Sequence, residues 1–174
     1  SGMLIAKDRT SSFLARMFIS PLRAHHYILG YILPLIIIAF IQSIILYGIG
    51  FIMGLPFNIH ILISIPFLLF ISILFIVFGL LLGSLLKDQQ VGPVASILIQ
   101  VVAFLSGMWF SLDLVGGIFE FIGNVLPFAS SVNMIRNILQ GNYSQIIIPF
   151  TIVLGYIFVI ITIAILAFKK NMKG

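Results

Sequence analysis

Residues 59–86 read IHILISIPFLLFISILFIVFGLLLGSLL, a run without a single Lys, Arg, Asp or Glu that stops at Lys87. About 20 apolar residues cross the hydrocarbon core of a bilayer, and a charge at a helix centre costs roughly 2.5–3.5 kcal/mol on insertion scales. The run is therefore read as a membrane-spanning helix. Three more charge-free runs accompany it, residues 28–53 before it and residues 91–112 and 146–168 after it. With 61% hydrophobic and 7% charged residues, the chain has too little polar surface for a water-soluble domain.

The charges outside the runs orient them. Eight of the nine Lys and Arg residues fall in alternate gaps: Lys7, Arg9, Arg16 and Arg23 before the first run, Lys87 between the second and third, and Lys169, Lys170 and Lys173 after the fourth. By the positive-inside rule these segments, and both ends of this chain, are expected to be cytoplasmic. The turn at 54–58 has no charge, and 113–145 carries only Arg136 against Asp113 and Glu120, so both are assigned to the far side. The pI near 9.8 is accounted for by basic residues beside anionic headgroups and requires no nucleic acid. The absence of cysteine excludes disulfides and thiolate metal sites.

Two segments outside the runs are patterned. In 11–20, Thr10 or Ser11 can cap a helix that Pro21 ends, because the residue before a proline, Ser20, is pushed out of the helical region. Phe13, Leu14, Met17 and Phe18 share one face of that helix, and Arg9, Arg16 and Arg23 recur every seven residues on another. Periodicity alone leaves two readings open, a helix lying in the headgroups and a helix that plugs into a soluble partner. In 113–145, Gly116, Gly117, Gly123 and Pro127 interrupt a stretch too apolar for a solvated loop, which points to a re-entrant or interface-lying helical hairpin. A short helix at about 132–139 should stop at Gly141, and Asp113 and Glu120 read as hairpin charges, one of them a partner for Arg136.

Within the runs, Gln42, Ser43, Tyr47, Gln100 and Ser106 are the polar groups that either hydrogen-bond a neighbouring helix or line a path for a substrate. The pairs Gly50/Gly54 and Gly79/Gly83 put small residues four apart, which permits close helix approach. No acid or base lies within a run to relay protons, so a proton-coupled transporter is disfavoured, and an apolar or amphipathic cargo suits such a lining better than a small ion. His25 and His26 fall at the opposite membrane face from His60, so the three histidines cannot share a metal.

At this point the chain resembles the membrane subunits of type-2 ATP-binding-cassette (ABC) transporters, the permeases of many bacterial exporters. The resemblance is carried by Asp8, Arg9, Leu14, Arg16, Met17, Ser20 and Pro21 in that order, by the short turn 85–91 followed by a span ending in Ser106, Gly107 and the pair Trp109–Phe110, and by Leu126–Pro127 with Arg136 and Gly141 downstream. The family's Gly-Thr is Ser12–Phe13 here, and its acidic residue is Ala15.

What the resemblance implies is an all-α integral membrane protein. Its parts would be an N-terminal cytoplasmic coupling helix (8–23), four spans, and an extracellular re-entrant hairpin (113–145) containing Glu120, Pro127 and Arg136. The four runs would be the family's third to sixth spans, with Met3 to Ala6 the end of its second, so that the first two spans are largely missing from this chain. The coupling helix, including Asp8, Arg9, Phe13, Leu14, Arg16, Met17, Ser20 and Pro21, would dock on a separate ATPase subunit that holds ATP and Mg. The permease would pair with a second copy or a related chain, in the plasma membrane of a bacterium. Residues 79–84 are the nearest approach to a phosphate-binding loop and lack its lysine, so this chain is expected to bind no nucleotide itself. A scaffold without transport and, less favoured, a membrane-embedded enzyme are the competing classes.

Overall fold

The computed structural model describes residues 1–10, 24–109 and 112–171. In chain order the helices are α1 (Gly2–Thr10), α2 (Ala24–Ile52), α3 (Ile59–Leu85), α4 (Asp88–Leu105), α5 (Leu112–Val115), α6 (Gly117–Val125), α7 (Pro127–Leu139) and α8 (Ile147–Asn171), with a 3-10 turn at Tyr143–Gln145 before the last. No strand occurs among the described residues. Four helices, α2, α3, α4 and α8, are long and apolar enough to cross a membrane. The segment 11–20, expected to be the amphipathic leader helix, lies outside the described residues.

Helix ends obey local chemistry. After α2, Gly54 adopts φ +96°, and the Leu55 N–H donates to the Gly50 carbonyl at 2.9 Å while the Gly54 N–H donates to Phe51 at 3.1 Å. Gly141 repeats this six-residue closure after α7 at φ +79°, with Asn142 N–H to Asn137 at 2.8 Å and Gly141 N–H to Ile138 at 3.0 Å. Both are left-handed glycine caps that satisfy carbonyls a helix end would otherwise strand.

Two boundaries differ from the sequence reading. The third span, expected over 91–112, is α4 and runs from Asp88 to Leu105. It starts early because the Gln90 side chain accepts from the Lys87 backbone N–H at 3.2 Å and Asp88 sits favourably in the first turn. It ends early because Gly107 turns to φ +67°. The short helix expected at 132–139 begins instead at Pro127: Leu126 is held extended (φ −74°, ψ 151°) as a residue before proline must be, and Pro127 opens α7 at a position where its missing N–H costs nothing. This punctuation bends α6 against α7 by 76°.

Helix α3 is the element on which the others assemble; α1, α2, α4, α7 and α8 all pack on it. Toward its Lys87 end, Leu74, Val77 and Leu80 are buried with Ile5 of α1, Ile28 and Ile32 of α2, and Val153 and Ile157 of α8. Toward the other end, Ile71 packs with Met134 and Ile138 of α7, both fully buried, and with Ile146. The Gly79/Gly83 pair is the seat of α1: a side chain on Gly2 would lie 2.7 Å from the Gly79 carbonyl oxygen, and one on Gly83 would strike the Gly2 backbone. The small-residue spacing is thus spent on packing within the chain.

Two hydrogen bonds fasten the far ends. The Tyr47 hydroxyl of α2 meets the buried Ser64 hydroxyl of α3, which itself donates to the Ile61 carbonyl at 2.7 Å. His60 Nδ1 pairs with the Tyr143 hydroxyl beside the Gly141 turn, where a Cβ would come within 3.2 Å of the His60 ring. The Gly83 contact predicts a measurable cost: Gly83→Leu should lower stability in an SDS titration by about 1–3 kcal/mol, the usual range for overpacking, by lifting α1 off α3. Gly30→Leu, where a side chain meets nothing within 4 Å, should leave the midpoint unchanged.

Candidate functional site

Helices α3, α4 and α7 leave a groove of about 930 Å³ between them. Its walls are apolar side chains repeated along each helix: Phe75 and Phe78 from α3, Ile99 and Val102 from α4, Phe128 and Ile135 from α7. It follows α4 from Val91 to Ser106, which at about 1.5 Å per residue is roughly 22 Å, most of a hydrocarbon core. Ser1 and Gly2 border the groove where α1 rests on Gly79.

The serines in the walls add little polarity. Ser96 donates to the Gly92 carbonyl at 3.1 Å, Ser106 to Ala103 at 2.9 Å and Ser131 to Pro127 at 2.8 Å, so each hydroxyl proton is already used by its own helix. Among the described residues, the one charged side chain lining the groove is Arg136, at its end remote from Lys87. Its Nη2 donates to the Gly107 carbonyl at 2.9 Å and, at the longer distance of 3.5 Å, to Met108. These are carbonyls exposed where α4 ends, and the positive φ of Gly107 is part of the turn that presents them. Arg136 therefore clamps α7 to the end of α4. Of the two acids expected as its partner, Glu120 sits in the first turn of α6 without bonding to it, and the side chain of Asp113 lies outside what the structure describes.

The polar residues picked out in the spans are scattered by the fold. Ser106 is buried and lines the groove. Gln100 is on an exposed face of α4 and does not line it. Ser43 donates to Ala39 of its own helix at 2.8 Å, and Tyr47 is taken up by Ser64. Gln42 borders a separate, shallower pocket of about 340 Å³ between α2 and α3, together with Ser72. Ser96 and Ser131 line the groove and were not selected from the sequence; nothing in their spacing separates them from other serines in apolar helices. Arg136 was selected, but its carbonyl partners lie 28 and 29 residues upstream and are joined to it only by the fold.

At the opposite end, Asp8 near the end of α1 accepts a 2.7 Å hydrogen bond from the Tyr31 hydroxyl of α2, and both are largely withdrawn from solvent. This bond joins the two helices between which residues 11–23 run. Arg9 belongs to α1, whereas Phe13, Leu14, Arg16, Met17, Ser20 and Pro21 lie outside the described residues. On the far side, Pro127 is buried at the bend, and the Tyr156 hydroxyl of α8 donates to the Val125 carbonyl at 3.0 Å, so the break between α6 and α7 is tied to a span.

Comparison with protein families places this architecture. Residues 1–166, nearly the whole chain, match the model of a family described as ABC-2 family transporter protein. Comparison with curated proteins and with solved structures finds no match. A helical chain with four candidate spans among its described residues and an apolar groove beside them, matched over that extent, belongs to the ABC-2 transporter family and is a multi-pass membrane transport protein.

Proposed function

We propose that this chain is the permease subunit of an ATP-driven exporter, with the α3–α4–α7 groove as its part of the translocation path and the segment 8–23 as the coupling helix to a separate ATPase subunit. The observation that carries the reading is the groove, whose apolar walls run for about 22 Å and end at the guanidinium of Arg136. A path of this lining suits an amphipathic cargo, since nothing along the described walls replaces the hydration shell of a small ion.

The Asp8–Tyr31 bond supports the coupling role. It fixes the points at which the leader leaves α1 and enters α2, so that force on Phe13, Leu14 and Met17 reaches the spans through two anchored ends. An ATPase pair would bias the permease between two packings only through its different affinity for each. ATP and Mg belong to that partner, and a second permease chain completes the path. The distribution of basic residues supports reading both ends of the chain as cytoplasmic, with α5, α6 and α7 as the extracellular hairpin, and the family resemblance supports a bacterial plasma membrane.

Three measurements follow. Photocrosslinking from Met17 in native membranes should capture a nucleotide-binding subunit, and Met17→Asp should abolish capture; crosslinks to lipid alone would return the leader to an interfacial anchor. Tyr31→Phe, which removes a hydrogen bond to a carboxylate, should lower ATP-dependent transport roughly tenfold with expression unchanged, given about 1.5–3 kcal/mol for such bonds. Because the chain has no cysteine, Asn142→Cys should react with an impermeant maleimide in intact cells, and Gln89→Cys only after permeabilisation. The reverse pattern would overturn the orientation.

A further inference from the structure

We infer that Arg136 and the outer half of the groove form a binding site for an anionic amphiphile. Its oxyanion head, a phosphate or carboxylate, would lie on the guanidinium, and its apolar tail would run along α4 past Val102 and Ile99. The inference rests on the transport reading above and narrows its cargo class.

Three observations converge on it. First, the guanidinium is only partly used. Nη2 caps the carbonyls of Gly107 and Met108, while Nε and Nη1 make no hydrogen bond with the described side chains, and Glu120 does not pair with the charge. Arginine presents five donors, and with Nη2 held by carbonyls the Nε–H and Nη1–H groups remain for charge-assisted hydrogen bonds to an oxyanion. Second, the cation stands where an apolar surface begins. Below it are Ile135, Phe128, Val102 and Ile99, with Ser131 and Ser106 already bonded to their own helices. A head that is charged and a tail that is not match this sequence of surfaces. Third, the cation lies at the groove end remote from Lys87, the end assigned above to the outer leaflet.

The geometry disfavours the obvious alternative occupant, an apolar helix of a second copy. Such a helix satisfies its own backbone donors and acceptors and carries nothing to meet the remaining guanidinium N–H groups, which would be desolvated without partners. Hydrocarbon tails of zwitterionic lipid would fill the walls but bring no net charge to the cation.

The test uses the full chain in phosphatidylcholine nanodiscs with two photoactivatable probes of equal chain length, one phosphatidic acid and one phosphatidylcholine. The phosphatidic acid probe should crosslink to α4 around Ile99 and Val102 in preference to its zwitterionic counterpart. Arg136→Gln should reduce that yield by about tenfold, as loss of a charge-assisted hydrogen bond would, whereas Arg136→Lys should retain much of it. Ile99→Trp, which fills the groove and leaves Arg136 in place, should also reduce it.

Thermal unfolding of each variant separates this from the clamp on Gly107. If Arg136→Gln unfolds, the contrast of wild type with Arg136→Lys and Ile99→Trp decides the matter. Equal labelling by the two probes, or labelling unaffected by both Arg136→Gln and Ile99→Trp, would overturn the proposal. Full competition by millimolar inorganic phosphate would overturn it too, because the tail would then contribute nothing, and so would an α4–α4 crosslink between copies that excludes the probe. Binding needs neither ATP nor an ATPase, so a negative result leaves the coupling experiment standing, and failure of coupling leaves the lipid result standing.

Discussion

Carbonyls opened by a helix break must find donors within the protein, because hydrocarbon supplies none. This constraint shapes the far side of the bundle. Where α4 ends at Ser106 and Gly107, the guanidinium of Arg136 donates to the exposed carbonyls; where α6 gives way to α7 at Leu126 and Pro127, Tyr156 donates to Val125. The ends of α2 and α7 use glycine in the left-handed region to fold their own N–H groups back onto the last turn. The α6–α7 pair, bent by 76°, is therefore tied to α4 and α8 by Arg136 and Tyr156.

Regular helices meet a different requirement. Lipid tails are as apolar as the side chains, so association is driven by close packing and by the few available hydrogen bonds. Helix α3 supplies both. Its glycines admit the backbone of α1, its Leu74, Val77 and Leu80 pack with residues of three other helices, and Ser64 receives Tyr47. Met134 and Ile138 extend the same packing to α7, which brings Arg136 to the groove. The apolar side chains left exposed on α2 and α4 have hydrocarbon as their surroundings.

Two polar fastenings stand out in these contacts: Asp8 and Tyr31 join α1 to α2, and Arg136 holds α7 to the end of α4 beside an apolar groove. Packed helical interfaces shift between discrete arrangements rather than deforming continuously, which is the mechanical property an alternating path requires.

Much of this was legible in the residues. Four charge-free runs, alternate basic gaps and the order of motifs from Asp8 to Gly141 were sufficient for the helical class, the number of candidate spans and the family, because insertion energetics and glycine or proline chemistry act locally. The end of α4 and the start of α7 lie several residues from where hydropathy puts them, because Gly107 and Pro127 set them locally. Which polar residue faces what could not be read at all. Gln100 and Ser106 look alike in sequence, yet one lies on an exposed face and the other lines the groove; the carbonyl of Gly107, 29 residues upstream, receives a hydrogen bond from Arg136 that no local pattern announces. The sequence by itself determined which segments are helices in a membrane, since that depends on transfer free energy residue by residue. Only the tertiary structure decided the seat of α1, the groove and the partners of Arg136, since those depend on which helix faces are brought together.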